Sequence, residues 1–156
     1  MPNQTPPYPA PAFLLSDPDG QMHNLSDCSG QWLVLYFYPK DDTPGCTVEA
    51  CSLRDSRDDL IELGAQIVGI SKDNEHSHDH FREKYKLNFT LLSDTTGTTI
   101  RAYGAWGKKM FGHEGILRKT FIIDPQGQVV KVFGRVTPAG HGQQVVETLK
   151  ALQQQA

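Results

Sequence analysis

The segment that most constrains the fold is an unbroken run of seven apolar or aromatic residues from Trp32 to Tyr38, which stops at Pro39. This run is too short for a buried helix and has no polar face, which is typical of a central strand covered on both sides. A helix start follows, because Thr43 can serve as the N-cap and Pro44 is tolerated at the first helical position. A buried strand that leads directly into a helix indicates an α/β class.

The next segments repeat this alternation of strand and helix. Residues 65–71 form a second apolar run, and residues 75–86 are predicted to form a polar helix. The first helix is predicted to continue from Thr43 to Gly64, with its apolar positions on one face: Cys46, Ala50, Leu53 and Leu60. Strand, helix, strand and helix in this order predict parallel pairing through a right-handed crossover.

The remaining segments predict two hairpins, a loop and a terminal helix. The first hairpin turns at 17–20 and the second at 125–127, each at a Pro- and Gly-containing sequence. We expect a short helix over 98–103, a long glycine-bearing loop over 104–115, and a C-terminal helix whose apolar stripe is Val145, Val146, Leu149 and Leu152. Five prolines in residues 1–12 predict an extended, loosely held arm, and residues 13–156 are predicted to form a single domain.

Composition excludes several classes of function. The formal charge of −3 over 156 residues and the lack of a basic patch argue against a nucleic-acid partner. Apolar runs stay well below the roughly 18 residues of a membrane span, and the first Lys or Arg is Lys40, so no signal-peptide start is recognised. We therefore expect a cytoplasmic protein without a membrane partner. In such a reducing compartment, three cysteines are expected to be reactive, metal-bound or buried rather than paired in structural disulfides.

Cys46 is the cysteine whose position favours reactivity. It falls in the first turn of the predicted helix, where unpaired N–H groups and the helix dipole stabilise an anion such as a thiolate. Gly45 before it would allow a ligand to approach the backbone. An isolated helical Cys is usually a small buried residue. The N-cap, the glycine and the nearby Cys51 together favour a reactive thiol instead.

The segment Tyr36–Cys51 (YFYPKDDTPGCTVEAC) resembles the active-site loop of peroxiredoxins, specifically of the bacterioferritin comigratory protein or peroxiredoxin Q subfamily. Pro39, Thr43 and Cys46 match the Pro, Thr and peroxidatic Cys of that family. Cys51, five residues further on, matches the resolving Cys of the subfamily.

A second resemblance lies far along the chain, in Tyr103–Gly112 and Gly115–Asp124. In the family, the Arg before the Thr-Phe strand lies against the peroxidatic sulfur, which assigns that position to Arg118. Glu49 is then expected either to orient Arg118 or to be an ordinary exposed helical residue. The resemblance runs in order from about Pro11 to the terminal helix.

The resemblance implies a thioredoxin-like fold, with a central mixed sheet flanked by helices and an N-terminal hairpin. It implies a thiol peroxidase that reduces hydrogen peroxide and alkyl hydroperoxides, in which Cys46 becomes a sulfenic acid and Cys51 resolves it as an intramolecular disulfide. Thioredoxin or a similar dithiol would then reduce the disulfide. Peroxide would be bound by Arg118, the Thr43 hydroxyl and the backbone N–H of Cys46. No metal or organic cofactor is implied, and relatives of this kind suggest a monomer.

Two other classes of function remain open at this point. A general thiol–disulfide oxidoreductase shares the architecture, but it would ordinarily carry Cys-x-x-Cys, whereas four residues separate Cys46 from Cys51. A holdase chaperone or a metal-binding module is the non-enzymatic alternative. A zinc site would need more Cys or His residues at ligand spacing.

Two further features can be interpreted either as functional or as having no functional role. Cys28 lies in a predicted loop, where it is either a backup resolving thiol or a residue without catalytic consequence. His76, His78 and His80 alternate along the second helix, and His76 and His80 would share a face. They are predicted to lie on a solvated polar face, with adventitious metal binding by His76 and His80 as the alternative.

Overall fold

In the computed structural model, which describes residues 4–109 and 112–155, eight strands form one mixed sheet and two more form a separate hairpin. The strands are β1 (Tyr8–Pro9), β2 (Leu14–Ser16), β3 (Met22–Asn24), β4 (Trp32–Phe37), β5 (Ala65–Ser71), β6 (Thr90–Ser93), β7 (Trp106–Lys108), β8 (Glu114–Ile116), β9 (Lys119–Ile123) and β10 (Gln128–Phe133). The helices are α1 (Pro44–Asp55), α2 (Arg57–Glu62), α3 (Glu75–Tyr85), α4 (Thr98–Ala102) and α5 (His141–Gln154), with a 3₁₀ turn at Leu25–Cys28. The sheet order is β1-β10-β9-β4-β5-β6-β2-β3.

Strand β4 lies at the centre of this sheet, as its apolar run predicts. It pairs in parallel with β5 and antiparallel with β9. Its side chains alternate between two buried clusters, so that Val34 and Tyr36 pack on one side of the sheet and Leu33 and Leu35 on the other. All four are inaccessible to solvent. The α/β class, the central strand, the parallel crossover and both predicted hairpins are therefore confirmed.

The predicted single helix from Thr43 to Gly64 is wrong, because the chain forms two helices separated at Ser56. The break occurs where the start of α5 packs against α1. A Cβ atom on Gly142 of α5 would stand 2.3 Å from the Ser52 carbonyl oxygen and 2.5 Å from Ser56 Oγ. Such close packing depends on a segment about 90 residues away in the sequence, so helical periodicity could not reveal it.

The predicted loop 104–115 is also wrong where the structure describes it. Strands β7 and β8 form an antiparallel hairpin in which Trp106 pairs with Ile116 and Lys108 with Glu114. The strands have three residues each and contain glycines, which leaves too short a pattern for recognition. Met110 and Phe111, part of the second resemblance, lie outside the described residues.

Two further strands, β1 and β6, were also absent from the sequence prediction. Tyr8 and Pro9 pair antiparallel with Val129 and Gln128, so this part of the arm is extended as predicted but is held on the sheet rather than loose. Strand β6 pairs in parallel with β5. Within residues 4–109 and 112–155, no helix has the length and apolar character needed to cross a membrane.

Candidate active site

The predicted reactive cysteine lies at the carboxyl end of the central strand. Strand β4 ends at Phe37, a loop over residues 38–43 follows, and α1 begins at Pro44, which places Cys46 in the first turn. The Cys46 side chain is only 1% exposed. Its sulfur therefore lies near the positive end of the helix dipole, which favours an anion there, whereas the exclusion of water disfavours one.

Arg118 reaches this sulfur from the neighbouring strand. Because β9 runs antiparallel to β4, Lys119 at its start lies opposite Phe37 at the end of β4. The residue before Lys119 therefore stands beside the loop and α1. Arg118 Nη2 is 3.4 Å from Cys46 Sγ, which allows a charge-assisted hydrogen bond to a thiolate. Burial opposes the charge of Arg118, but the negative groups of Cys46 and Glu49 outweigh it and raise the pKa of the guanidinium.

Gly45 makes room for this contact. A Cβ atom at position 45 would stand 3.1 Å from Arg118 Nη2. That distance is tighter than ordinary van der Waals contact, so a side chain here would displace the guanidinium from the sulfur. The glycine before Cys46 thus accommodates an arginine of the protein itself.

Glu49 is the second partner of the guanidinium, and it is buried rather than exposed. Its Oε1 accepts a 2.6 Å hydrogen bond from Arg118 Nη1, and the residue has no solvent exposure. Burial raises the pKa of Glu49 to about 7, although Arg118 pulls it in the opposite direction. Oε2 of the same carboxyl has no hydrogen-bond partner among the described residues. Arg118 is thus fixed between a carboxyl group and a sulfur atom.

Thr43 and Pro39 occupy the loop that precedes the helix. Thr43 holds the N-cap position, but its hydroxyl donates to the Lys40 carbonyl at 2.8 Å rather than capping the helix. The oxygen of that hydroxyl keeps lone pairs with which it can accept a hydrogen bond. Pro39 is half-buried and follows β4 by one residue. Both predicted residues therefore lie within the segment that connects the strand to Cys46.

Cys51 lies on the same helix as Cys46, and both are free thiols. Five helical residues give a Cα separation of about 8.7 Å, whereas a disulfide rarely tolerates more than about 6.8 Å. The two thiols cannot bond while this part of α1 stays helical. Cys51 is half-buried, so it is more accessible than Cys46.

Cys28 is placed far from this site. It precedes β4, whereas Cys46 follows it, and a strand of six residues spans about 20 Å. Burial, with a smaller contribution from Asp27, raises the pKa of the Cys28 thiol and so disfavours the reactive anion. This placement supports the interpretation that Cys28 has no catalytic role.

A buried polar cluster beside the loop was missed by the sequence analysis. Asp41 accepts hydrogen bonds from Tyr38 Oη at 2.6 Å and from Ser77 Oγ at 2.8 Å, and its Oδ2 is 2.7 Å from His78 Nδ1. Its backbone N–H donates to Asp73 Oδ2 at 2.8 Å. The loop is thereby attached to α3 and to the segment after β5.

The predicted solvated face for all three histidines is wrong for His78, which is fully buried, while His76 and His80 are exposed. The available signal was the spacing of His78 with Phe81 and Tyr85, which places it on the face of α3 that packs on the sheet. An alternating run of histidines obscured that spacing.

Asp41, Asp73 and His78 are also the group in the described part of the chain whose ligand atoms lie close enough to hold a metal ion, all within 4.8 Å. The same atoms make hydrogen bonds to the protein. Asp73 Oδ2 accepts from Ser71 Oγ and from the Asp41 N–H, and the Asp41 oxygens accept as described above. The cluster is therefore satisfied as a hydrogen-bonded network of the protein itself.

The fold and this site together define a class: thioredoxin-like α/β proteins with a buried cysteine, contacted by an arginine, in the first turn of the helix after the central strand. Comparison with known proteins narrows the class. The AhpC/TSA family model matches residues 7–132. Peroxiredoxin Bcp of Escherichia coli strain K12 is 44% identical over 144 residues, covering 90% of this chain and 92% of the relative. Peroxiredoxin Bcp of Bacillus subtilis strain 168 shows the same identity and coverage.

A solved structure gives the same result. Peroxiredoxin Q of Xanthomonas campestris superposes with a TM-score of 0.85 at 41% identity, covering 89% of this chain and 90% of that one. The chain belongs to the AhpC/TSA family of peroxiredoxins, within its Bcp or peroxiredoxin Q branch, and is a thiol peroxidase. A peroxiredoxin acts on hydroperoxides and needs a reductant.

Proposed function

We propose that this peroxidase reduces hydrogen peroxide and alkyl hydroperoxides with Cys46 as the peroxidatic and Cys51 as the resolving cysteine, recycled by thioredoxin or a similar dithiol. The observation that carries the proposal is the 3.4 Å contact between Arg118 Nη2 and the buried Cys46 sulfur, with a second thiol on the same helix. One solved relative, from Xanthomonas campestris, is described by its alkyl peroxide reduction activity. That activity is consistent with the substrate class proposed for this chain.

In the first step, the Cys46 thiolate attacks one oxygen of the hydroperoxide and the O–O bond breaks. The sulfur gains that oxygen and becomes a sulfenic acid, and the leaving alkoxide or hydroxide takes up a proton to become an alcohol or water. Negative charge moves from sulfur to the leaving oxygen. Arg118 lies beside the starting charge, and the backbone N–H of Cys46 points out of the helix start, so both can stabilise the charge as it moves.

Thr43 and Glu49 support this step in different ways. The Thr43 oxygen has lone pairs available to accept a hydrogen bond from the O–H of the peroxide. Glu49 holds the other arm of the guanidinium at 2.6 Å, which fixes the direction in which Nη2 points. Pro39 limits the backbone freedom of the loop that carries Thr43.

In the second step, the Cys51 thiol attacks the sulfenic sulfur of Cys46, a disulfide forms, and water leaves. A dithiol such as thioredoxin then reduces this disulfide by thiol exchange and is itself oxidised. Electrons and atoms balance over the cycle, because one hydroperoxide and one dithiol yield an alcohol, water and a disulfide. Both reacting cysteines belong to one chain, so the cycle requires no second subunit.

We also propose that the chain consists of an arm over residues 1–12 and one domain over residues 13–156, and that the protein is a monomer. The cytoplasm is the compartment proposed, because its reducing conditions would keep the three thiols free between turnovers. No resident metal or organic cofactor takes part in the proposed cycle.

The test is mass spectrometry of the intact protein and its peptides after one equivalent of peroxide. Wild type should lose two hydrogens, and its tryptic peptide of residues 41–54 should contain an internal bond between Cys46 and Cys51. Cys51→Ser should retain a sulfenic acid at Cys46 that reacts with dimedone, and Cys46→Ser should remain unoxidised. Cys28→Ser is the matched control and should behave as wild type. Turnover of Cys51→Ser at the wild-type rate would refute the resolving assignment.

A parallel assay separates the peroxidase from the alternative oxidoreductase. Wild-type protein should consume peroxide in the presence of a dithiol and leave insulin disulfides intact. Rapid insulin reduction with slow peroxide consumption would favour a general thiol–disulfide oxidoreductase.

A further inference from the structure

We propose that Asp41 and His78 are positioning residues for the peroxidase reaction, which hold the loop that carries Thr43 and the start of α1 in its reactive geometry. This inference rests on the proposed role of Cys46. Neither residue touches the sulfur, and they act through the backbone between Asp41 and Cys46. We call the group formed by Tyr38, Asp41, Asp73, Ser77 and His78 the loop lock.

The other members of the loop lock make hydrogen bonds to both the side chain and the backbone of Asp41. The Asp41 side chain is bound by Tyr38, Ser77 and His78, and its backbone N–H is bound by Asp73. Both Asp41 and His78 are buried, with Asp41 7% exposed and His78 not exposed at all. A buried carboxyl group with this many partners has one low-energy position, so the backbone of residue 41 is fixed with it.

The proton on His78 can be assigned from its partners. His78 Nε2 is 2.9 Å from the Leu92 carbonyl oxygen, which can only accept, so Nε2 carries a hydrogen. His78 Nδ1 faces Asp41 Oδ2 at 2.7 Å, so one further proton must lie between these two atoms. The imidazole therefore connects the active-site loop to β6 through two directional hydrogen bonds.

Asp42, the residue after Asp41, is held by further contacts with α3, the helix that carries His78. Asp42 has a φ of 59°, a left-handed conformation that non-glycine residues rarely adopt. Its carboxylate accepts hydrogen bonds from Lys84 Nζ at 2.8 Å and Tyr85 Oη at 2.7 Å, both on α3. This backbone turn directs the chain into Thr43 and α1. Loss of the contacts at Asp41 would leave an unfavourable conformation at Asp42 with less to maintain it.

A positioning role predicts a particular pattern of rates. Peroxide reduction needs the sulfur, Arg118 and Thr43 in mutual alignment, whereas alkylation of Cys46 by iodoacetamide needs only an accessible thiolate. Displacement of the loop should therefore lower the rate of peroxide reaction much more than the rate of alkylation. A misalignment of about 1 Å costs on the order of 100-fold in a well-aligned reaction.

The experiment compares Asp41→Ala, Asp41→Asn and His78→Gln with wild type, and uses His76→Gln, an exposed position on the same helix, as the matched control. Stopped-flow fluorescence and iodoacetamide labelling give the two rates for Cys46, and circular dichroism checks folding. We expect Asp41→Ala and His78→Gln to lower the peroxide rate about 10- to 100-fold and the alkylation rate by less than about threefold. The control should match wild type for both reagents.

Asp41→Asn distinguishes positioning from proton transfer. An asparagine can donate to a neutral His78 and accept from Tyr38, so it can restore the lock without a titratable carboxyl group. We expect its peroxide rate within about fivefold of wild type. If Asp41→Asn is as slow as Asp41→Ala, the carboxyl acts through its charge or its proton, and the positioning role is overturned.

Three other outcomes also overturn the inference: an Asp41→Ala variant that reacts with peroxide as fast as wild type, a parallel fall of both rates, or a similar loss in His76→Gln. If Asp41→Ala does not fold, Ser77→Ala decides the question, because it removes a single donor to Asp41; an unchanged peroxide rate then counts against the lock. Failure of the proposed function is recognised separately, because Cys46 would then remain unoxidised in wild type.

Discussion

The proposed disulfide requires local unfolding of α1, and the structure defines how far it extends. Cys46 and Cys51 both lie within the regular helix Pro44–Asp55. Their Cα atoms must approach by about 2 Å, from about 8.7 to about 6.8 Å, which no rotamer change of a helical cysteine achieves. The perturbation to apply is therefore oxidation itself, with one equivalent of peroxide.

The size of the effect follows from the hydrogen bonds that are lost. Unwinding from Pro44 to about Val48 frees the N–H groups of residues 47–51 and so breaks about five helical hydrogen bonds, beginning with the 2.8 Å bond from Thr47 N–H to the Thr43 carbonyl. At about 0.5 to 1.5 kcal/mol each, the loss is about 2.5 to 7.5 kcal/mol. Because about 1.4 kcal/mol corresponds to a factor of ten, amide exchange should accelerate by about 70-fold or more.

Unfolding should stop near Ser52, because α5 holds α1 there. Gly142 N–H donates to Ser52 Oγ at 2.8 Å, and Leu53 on the next position is fully buried. We therefore expect fast exchange up to about residue 51 and continued protection at residues 53–55 and in β4. Reduced protein should be protected throughout.

Hydrogen-exchange mass spectrometry of the reduced and oxidised protein is the assay, with Cys51→Ser after peroxide as the control that cannot form the bond. Equal protection of residues 45–51 in both redox states, in a sample proven to contain the Cys46–Cys51 bond, would falsify the argument. It would mean that the disulfide forms without unwinding of α1.

Three further predictions concern residues around the site. Arg118→Ala should slow Cys46 oxidation by roughly 10- to 150-fold with the fold retained, and Arg118→Lys should recover only part of this, because one compact ammonium group cannot reproduce the planar fork of the guanidinium. Stopped-flow rates within about twofold of wild type for the alanine variant would remove Arg118 from the site. Because burial raises the pKa of Glu49 from 4.5 to about 7, the folded protein binds this proton more tightly than the unfolded chain, and that stabilisation is lost as pH rises through this interval. Glu49→Gln should lack this loss. The free energy of unfolding of the variant minus that of wild type, measured in urea, should therefore be about 3 kcal/mol larger at pH 8 than at pH 4. Identical pH profiles of the two proteins would contradict this prediction. Gly142→Ala should lower the free energy of unfolding by about 1 to 3 kcal/mol, because its Cβ would stand 2.3 Å from the Ser52 carbonyl oxygen. Gly134→Ala, which has open space around it, is the control and should not lower it. Equal stabilities of the two variants would show that α5 can shift.

The local elements of this protein could be predicted where a single segment carries its own signal. Strand β5 matches the predicted 65–71, and α1 begins after Thr43 as its Thr-Pro pair indicates. Alternation of strand and helix was sufficient for the α/β class and the parallel crossover. The hairpin at 106–116 could not be recovered in this way, because two strands of three residues are stabilised by packing against the rest of the domain.

Some features of the candidate site could likewise be predicted from single segments, and others could not. The sequence placed Cys46 at a helix start and, through its resemblance to peroxiredoxins, named Arg118 and Thr43. Whether Glu49 was exposed or buried stayed open, since that depends on distant segments of the chain, among them Arg118, 69 residues away. His78 was assigned to solvent because the alternating run of histidines obscured its helical spacing with Phe81 and Tyr85.

What the sequence determined alone is therefore whatever follows from backbone preference and the spacing of apolar residues: the central strand, the start of the helix that carries Cys46 and the order of the elements. Only the tertiary structure decided the environments of Glu49, Asp41 and His78, and the break of the helix at Ser56. The physical reason is that burial, hydrogen-bond partners and steric contact are properties of pairs of segments. Those pairs form only when α1, α3 and α5 pack against β4 and β9 on one face of the sheet.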